Sequence, residues 1–540
     1  MEINTIKKME KKALKSSRFD FMRLGIALIF IVIVMFYTMA TTGNISNSMF
    51  LVVATIFGAY MAMNIGANDV ANNVGPAVGS KALSLGAAIL IAAIFEVSGA
   101  LIAGADVTNT IRKGIIDLNA FSDVNIFIWA MMSALLAAAL WLNLATYFKA
   151  PVSTTHSIVG GVMGAGIAAG GFGIVHWSTM GKIAASWVIS PILGGIIAAL
   201  FLFAIKKTII FKENKIEAAK KWLPIFVAIM AWAFTTYLTL KGLKHVWGDI
   251  TNILSFLPHT KKPTIGVASI FGIIIAVLVF IIVKANIVKN SQKLSNDRNA
   301  INVLFTIPLV FAAILLSFAH GANDVANAVG PLAAINDAVM SGGISSKAGI
   351  PFWVLAIGGL GISVGLALYG PKLIKTVGSE ITELDQIRAF SIALAAAITV
   401  IIASQLGLPV SSTHIAVGAV FGVGFLREFM KLESNNEAAL EKELETQEEL
   451  LKIMVIELDE LQHKKDKEKE DYKKIVELFE KVESQERIIK RLKKVLKKEA
   501  KEEYVKRDMV KKIVTAWIIT VPVAGMFSAM IFFIIKGMML

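Results

Sequence analysis

Apolar runs of about 20 residues alternate with short polar segments along most of the chain. A run of this length is long enough to cross a bilayer as an α-helix. The hydrocarbon core contains no water to hydrogen-bond the backbone, so a spanning segment must pair its own N–H and C=O groups, as a helix does. The pattern therefore predicts an all-α polytopic membrane protein. The predicted spans cover roughly residues 24–42, 48–66, 84–105, 124–147, 178–205, 222–240, 265–283, 303–320, 352–370, 387–406 and 513–535.

Two further apolar segments, residues 151–172 and 409–426, begin with a Pro motif and contain Gly every few residues. Ordinary spans are one interpretation, since Gly is frequent in transmembrane helices. We favour re-entrant hairpins, because a Pro followed by hydroxyl side chains makes a tip that stays buried inside protein.

The pattern changes between residues 431 and 512, where Lys and Glu dominate and Gly and Pro are absent. Apolar residues there recur every seven positions, which is the spacing of a coiled coil. The charged segment 463–471 separates two such series. We predict a soluble helical hairpin, with one long helix or an intermolecular coiled coil as alternatives. The two series are Leu444, Leu451 and Leu458, then Ile475, Val482, Ile489 and Leu496.

Composition agrees with a membrane location. The 540 residues are 56% hydrophobic and only 17% charged, whereas soluble proteins carry about 25% charged residues. We therefore expect a multi-pass protein of the cell membrane, in contact with the lipid bilayer. The net charge of +14 lies in short flanks beside the apolar runs, which is typical of cytoplasmic loops and disfavours nucleic-acid binding. Cysteine is absent, so disulfides and thiolate metal sites are excluded.

One unusual polar segment occurs twice inside the apolar runs. Residues 66–76 read Gly-Ala-Asn-Asp-Val-Ala-Asn-Asn-Val-Gly-Pro, and residues 321–331 repeat them with a single change. A second motif follows each copy at nearly the same distance: Pro-Val-Ser-Thr-Thr-His at 151–156 and Pro-Val-Ser-Ser-Thr-His at 409–414. The chain therefore contains a long internal duplication. Broken helices at matched places of two repeats are typical of a transporter's binding site.

The duplication divides the chain into six predicted segments. A basic N-terminal arm precedes the first transmembrane repeat, which carries an extra N-terminal helix. Linking helices lead to the second repeat, and the helical insert then precedes a last transmembrane helix. The corresponding ranges are 1–23, 24–205, 206–300, 301–430, 431–512 and 513–540.

The acidic motif offers ligands for a small hard cation. Each copy places three oxygen-bearing side chains within one helical turn, beside Gly and Pro residues expected to break the helix and free backbone carbonyls. An ionised Asp at the midplane costs at least about 2.5 kcal/mol, which a bound cation offsets. We favour Na⁺ over H⁺, because amide oxygens coordinate a metal but do not titrate. Simple capping of broken helix ends is the alternative. The predicted ligands are Asp69, Asn72, Asp324 and Asn327.

The second motif offers donors for a tetrahedral oxyanion. Hydroxyl groups and free backbone N–H groups at a helix N-terminus bind anions, with the positive end of the helix dipole beside them. Neither copy contains Arg or Lys, so the dipoles and a bound cation would balance the charge. N-capping by Ser and Thr is the alternative. The candidate donors are Ser153, Thr154, Thr155, Ser411, Ser412 and Thr413.

Four other ionisable residues stand in or beside the motifs. We favour a structural role for His156 and His414, which close the hydroxyl motifs. We discount His320, because Ile65 occupies its place in the first copy. Glu96 is an isolated acid within an apolar run, where it assists cation binding or pairs with a buried polar group.

These paired motifs resemble those of the PiT inorganic phosphate transporter family. Further similarity lies in Thr-Val-Gly at 376–378 and Ile-Thr-Glu-Leu at 381–384. The resemblance covers about residues 48–205 and 303–426 and the final helix. It implies import of inorganic phosphate coupled to Na⁺ or H⁺, two inverted repeats and a homodimer.

The resemblance also implies roles for individual residues. It places cations at Asp69 and Asp324 with the nearby Asn residues, and it adds Glu96 as an acid that the family carries in this helix. It places phosphate between the two hydroxyl motifs, and we include Asn68 and Asn323 among the phosphate ligands. The stretch of the second half that corresponds to the Glu96 segment, residues 359–363, lacks an acid. The helical insert is not a usual feature of the family.

Three functions follow from these patterns. The first is an ion-coupled phosphate symporter with Na⁺ as the co-transported ion and without a cofactor. The second is a permease for sulfate or another tetrahedral oxyanion. The third, from a different class, is a membrane receptor or scaffold that signals through the helical insert. Enzymatic activity is disfavoured, because the sequence contains no nucleotide-binding loop, metal triad or nucleophile–base pair.

Overall fold

A computed structural model provides the fold, which is helical throughout the described part of the chain. The only β contact among these residues is a single bridge between Ile116 and Val175. The all-α prediction is therefore confirmed. The structure describes residues 3–43, 45, 47–121, 123–148, 152–244, 246–254, 256–344, 349–380, 384–433, 436–500 and 507–539.

The helices fall into three groups along the chain. The first group contains α1 (Ile3–Thr42), α2 (Ser48–Asn68), α3 (Val70–Gly79), α4 (Leu85–Ala103), α5 (Ala105–Lys113), α6 (Val124–Tyr147), α7 (Thr154–Gly170) and α8 (Trp177–Ile205). The linking group contains α9 (Lys215–Gly242), α10 (Trp247–Ile253), α11 (Ile265–Ser291) and α12 (Arg298–Leu304). The last group contains α13 (Thr306–Ser341), α14 (Phe352–Glu380), α15 (Gln386–Gln405), α16 (Ser412–Glu433), α17 (Asn436–His463), α18 (Lys469–Ala500) and α19 (Arg507–Met539). Short 3₁₀ turns lie at Leu118–Ala120 and Phe172–Ile174, and a π-helical turn lies at Lys206–Ile210.

Twelve helical segments within the described residues are long and apolar enough to cross a membrane. Several leave most of their apolar side chains exposed, as α11 does, because lipid rather than protein covers that face. Others, such as α13 and α15, are almost entirely buried. The chain is therefore a multi-pass membrane protein whose innermost helices carry the polar motifs.

The prediction that both acidic motifs break their helices is only partly correct. In the first copy, α2 ends at Asn68 and α3 begins at Val70, but Asp69 between them keeps helical backbone angles. In the second copy, α13 runs through Asp324 without interruption. The Gly residues instead allow close packing: a Cβ on Gly321 would lie 2.2 Å from the backbone oxygen of Glu96. Unwound carbonyls are therefore not available as cation ligands in α13.

The re-entrant hairpins expected with their tips at the two Pro motifs stay a prediction. Each of the two segments, 151–172 and 409–426, forms one helix, α7 or α16, which begins inside its hydroxyl motif. The Gly residues of these helices again serve close packing: Gly164 faces the backbone of Gly525, and Gly422 faces that of Gly195. The helix starts of α7 and α16, with residues 152–153 and 406–411 before them, place the two hydroxyl motifs beside the acidic motifs. Pro151 lies outside the described residues.

The polar segment near the C-terminus contains α17 and α18, joined by residues 464–468. The two helices run antiparallel, with Lys474 bonded to Glu457 at 3.0 Å and Lys493 to Glu448 at 2.7 Å. Leu458 and Ile489 of the heptad series and Leu478 of the same apolar stripe are buried between them. The helices therefore bury their narrow apolar stripes against each other.

Candidate functional site

Asp69 is the centre of the first half of the site. Its side chain is buried and accepts hydrogen bonds from Thr154 Oγ1 at 2.6 Å and Thr413 Oγ1 at 3.2 Å. These donors come from different copies of the hydroxyl motif. The Asp69 side chain forms no cap on the helix that follows it. The carboxylate therefore serves contacts between the motifs rather than the helix end.

Asp324 is the centre of the second half. It is fully buried and accepts a hydrogen bond from Ser412 Oγ at 2.8 Å. One turn further along α13, Asn327 donates to Thr154 Oγ1 at 3.3 Å and Thr155 Oγ1 at 3.2 Å. The acidic motif of the second copy therefore contacts both hydroxyl motifs, as the first does.

The contacts between the motifs form two matched sets. Each Asp accepts a bond from the second hydroxyl residue of its own copy. Each motif Asn donates to the third hydroxyl residue of the other copy, since Asn72 Nδ2 lies 2.9 Å from Thr413 Oγ1. The predicted cation and anion residues therefore form one continuous buried cluster.

The first hydroxyl of each motif has a separate task. Ser153 Oγ accepts a bond from the backbone N–H of His156 at 3.2 Å, and Ser411 Oγ accepts one from His414 at 3.3 Å. These are N-caps, which stabilise a helix start by about 1 kcal/mol. N-capping, the alternative to anion binding, therefore applies to Ser153 and Ser411. The second and third hydroxyl residues of each motif contact the acidic motifs instead.

Asn68 and Asn323, both expected near phosphate, lie at the margins of the cluster. Asn68 Nδ2 donates to Thr146 Oγ1 at 3.1 Å, near the end of α6. The Asn323 amide contacts Ser404 Oγ at 3.0 Å, at the end of α15. Each Asn therefore ties its acidic motif to the helix that leads into a hydroxyl motif.

His320 lies at the centre of the cluster, contrary to the expectation drawn from its missing counterpart in the first copy. Its Nδ1 is 2.7 Å from Glu96 Oε2, and its Nε2 is 2.9 Å from Asp324 Oδ2. Asn73 Nδ2 donates to the other Glu96 oxygen at 2.9 Å. Ligand atoms of Asp69, His320 and Asp324 all lie within 4.8 Å of one another. The missed signal is the position of His320, one helical turn before Asp324 on the same face.

The Glu–His pair has no charged counterpart in the first copy. Gly66 and Gly321 occupy the same place in the duplicated motif, and a Cβ on each would strike a backbone oxygen, that of Ile362 and that of Glu96. Ile362 therefore stands where Glu96 stands, and Ile65 stands where His320 stands. The two halves of the cluster share hydroxyl and amide contacts but differ in charge.

His156 and His414 meet edge to face in an aromatic cluster behind the hydroxyl motifs. Their ring centroids are 4.5 Å apart. His156 packs on Trp187 with centroids 3.8 Å apart, and His414 stacks on Trp517 at 3.6 Å. This arrangement supports the structural role expected of both histidines.

A lysine of the linking helices brings positive charge beside the second hydroxyl motif. Lys241 is buried, pairs with Asp106 and has its Nζ 3.4 Å from the backbone oxygen of Ser404. Lys244 also bonds Asp106, at 3.0 Å. Partial burial acts to raise the pKa of Asp106, but the bonds from both lysines outweigh it and hold that pKa below its usual value. The two lysines therefore place positive charge near the end of α15, the helix that leads into the second hydroxyl motif.

Comparison with known proteins gives a consistent picture. Residues 65–528 match the sequence profile of the phosphate transporter family. A Helicobacter pylori protein named as a candidate phosphate permease is 48% identical over 553 residues, which cover 98% of each chain, so the match includes the helical insert. The chloroplastic inorganic phosphate transporter 2-1 of Arabidopsis thaliana is 40% identical over 69% of this chain and 65% of its own.

A solved structure is also similar. It is titled as the sodium-dependent phosphate transporter and superposes with a TM-score of 0.70 at 30% sequence identity. The superposition covers 90% of this chain and 99% of that one. The similarity therefore extends over the helices that build the cluster.

Proposed function

The chain belongs to the phosphate transporter family, and we propose that it imports inorganic phosphate by symport with Na⁺. The observation that carries this proposal is the crosswise set of hydrogen bonds between the acidic and the hydroxyl motifs. It joins candidate cation ligands and candidate anion donors in one buried place, as co-transport requires. The relatives are named as permeases and transporters, and we assign no enzymatic reaction and no cofactor.

The cations bind at the carboxylates of Asp69 and Asp324. Each ionised carboxylate at membrane depth costs about 2.5–3.5 kcal/mol, and a bound Na⁺ offsets that cost. Asn72 and Asn327 provide amide oxygens beside them. Glu96 supports the Asp324 half of the cluster through His320. The Nδ1 of His320 lies 2.7 Å from Glu96 Oε2, and its Nε2 faces Asp324.

Phosphate binds between the two hydroxyl motifs. The donors that would serve an oxyanion, such as the hydroxyls of Thr154 and Ser412, donate to carboxylates in the structure. A cation that takes over a carboxylate releases its hydroxyl donor for phosphate. Cation binding thereby prepares the anion site, which couples the two solutes without a lysine or arginine in the motifs.

The site becomes accessible from each side of the membrane in turn. The duplicated halves supply matched helices around the cluster, and we take them as the inverted repeats that move against each other. The protein assembles as a homodimer in which each protomer carries a complete site, since the contacts of the cluster all come from one chain.

Uptake of labelled phosphate into proteoliposomes tests the coupling. An inward Na⁺ gradient at equal pH is expected to drive accumulation above the outside concentration, and excess sulfate is expected to leave it unchanged. Strong inhibition by sulfate would favour the permease for another oxyanion. Accumulation that ignores Na⁺ would contradict the proposed cation.

Proton coupling is a second candidate, and one observation favours it. The imidazole of His320 bridges two buried carboxylates, Glu96 and Asp324, and such a chain can carry a proton. In this case an inward proton gradient without Na⁺ drives uptake. Because the first half of the cluster has isoleucines at the matching places, it would still bind Na⁺.

A further inference from the structure

A large apolar groove lies apart from the ion cluster. Its volume is about 910 Å³, and its walls come from α9, α11, α12 and the first part of α13, with Phe95 of α4. Of its 22 lining residues, four are polar. Such a surface selects a hydrocarbon occupant rather than an ion or a sugar. The four polar residues are Thr235, Asn286, Asn290 and Thr306.

The position of the groove indicates that its occupant comes from the bilayer. The helix α11 forms one wall and is the most lipid-exposed of the twelve candidate spans, with 11% of its apolar window buried. Its lining residues extend from Ile275 to Asn290, which at 1.5 Å per residue is about 22 Å. One leaflet of hydrocarbon is about 15 Å deep, so the groove is long enough to hold an acyl chain of one leaflet.

The polar residues of α11 lie at one end of the groove. Asn290 Nδ2 donates to Asn286 Oδ1 at 2.8 Å, and both amides line the wall. Lys289 lies on α11 one turn after Asn286, and Lys293 follows the end of that helix at Ser291. Both lysines are exposed. Amides followed by cations at the end of an apolar channel match an anionic phosphodiester above an acyl chain.

We propose that this groove binds one anionic phospholipid of the surrounding membrane. An acyl chain lies along α11 and α13, and Asn286, Asn290, Lys289 and Lys293 hold the headgroup phosphate. A second copy of the chain is the less suitable occupant, because the groove is concave and lies between helices of a single protomer.

The lipid also contacts the helices that carry the ion cluster. Phe95 precedes Glu96 on α4, and Phe311 and Leu315 precede His320 on α13. A lipid packed against both walls favours the arrangement in which Glu96 and His320 meet. Anionic lipid should therefore increase the rate of uptake as well as bind.

Native mass spectrometry of the full chain in mild detergent tests the binding. With phosphatidylglycerol or phosphatidylcholine added at equal concentration, the protein should retain one phosphatidylglycerol per protomer and at least fivefold less phosphatidylcholine. The double substitution K289Q/K293Q should reduce retention of phosphatidylglycerol to the level of phosphatidylcholine. Its matched control is K284Q, since Lys284 lies over the Phe280 ring at 5.7 Å and away from the groove.

A second pair of variants tests the groove itself. Val279→Trp fills the channel and should abolish retention of both lipids, whereas Ile281→Trp, on the exposed face of α11, should leave it unchanged. Equal retention of the two lipids by the unaltered protein would overturn the proposal. A Val279→Trp protein that still retains its lipid would also overturn it. Dissociation of the dimer by Val279→Trp would overturn it too, because it would show that a second copy of the chain occupies the groove. None of these measurements depends on transport.

Discussion

Replacing Thr154 with valine removes one hydroxyl from the cluster while keeping the shape of the side chain. The Thr154 hydroxyl donates to Asp69 at 2.6 Å and accepts from Asn327 at 3.3 Å. A hydrogen bond to a charged group contributes about 1.5–3 kcal/mol, and every 1.4 kcal/mol corresponds to about tenfold in a binding constant. We expect the apparent KM for phosphate to rise by about 10- to 150-fold.

The same substitution should act differently on the cation. Without Thr154 the carboxylate of Asp69 loses its shorter hydrogen bond, so Na⁺ no longer competes with that donor. The half-saturating Na⁺ concentration should therefore stay unchanged or fall while the KM for phosphate rises. Ser412→Ala, which removes the matching donor to Asp324, should show the same divergence.

Labelled-phosphate uptake into proteoliposomes measures both constants, one at saturating Na⁺ and the other at saturating phosphate. Thr154→Ser keeps the hydroxyl and serves as the control, with constants within about twofold of the unaltered protein. A Thr154→Val protein with an unchanged KM would refute the assignment of this hydroxyl to phosphate. An equal rise in the KM for phosphate and in the half-saturating Na⁺ concentration would refute the idea that the Thr154 hydroxyl moves from the Asp69 carboxylate to phosphate.

Three further predictions concern the acids, the Glu–His pair and the helical insert. Asp69→Asn or Asp324→Asn should abolish accumulation above the outside concentration while thermal unfolding in detergent stays cooperative; accumulation by both would disprove the cation sites. The double substitution E96I/H320I gives the second half the isoleucines of the first. Any uptake driven by a proton gradient alone should vanish, whereas Na⁺-driven uptake should persist with a weaker apparent affinity for Na⁺, because Asp324 loses the support of Glu96 through His320. Loss of both activities in a folded protein would contradict this division. Deletion of residues 434–507, closed by a short flexible linker, should leave the transport constants within a few fold, because the hairpin buries its own apolar stripe; a deletion protein that inserts and dimerises yet fails to transport would show otherwise.

The polar motifs were predictable from the sequence because charge at membrane depth is costly and this chain carries it twice. The pairing of Asp69 with Thr154 and of Asp324 with Ser412 follows that duplication. The crosswise bonds from Asn72 and Asn327 depend on packing between distant helices, which no local pattern states.

The errors have a common physical origin. Gly and Pro indicate either a break in a helix or a close approach between two helices, and sequence alone does not distinguish them. In α13 and α16 they serve close packing, and the expected break is absent from α13. His320 is not found by comparing the two copies of the motif, because that comparison selects shared residues. The contact of His320 with Glu96 and Asp324 exists in one half only.

The central claim is that one buried cluster joins Na⁺ and phosphate, and gradients imposed separately test it most directly. Proteoliposomes containing the unaltered protein receive either an inward Na⁺ gradient at equal pH or an inward proton gradient without Na⁺. We expect concentrative phosphate uptake with the Na⁺ gradient and none in the Asp69→Asn protein. Uptake driven only by the proton gradient, or accumulation that persists in Asp69→Asn, would contradict the claim.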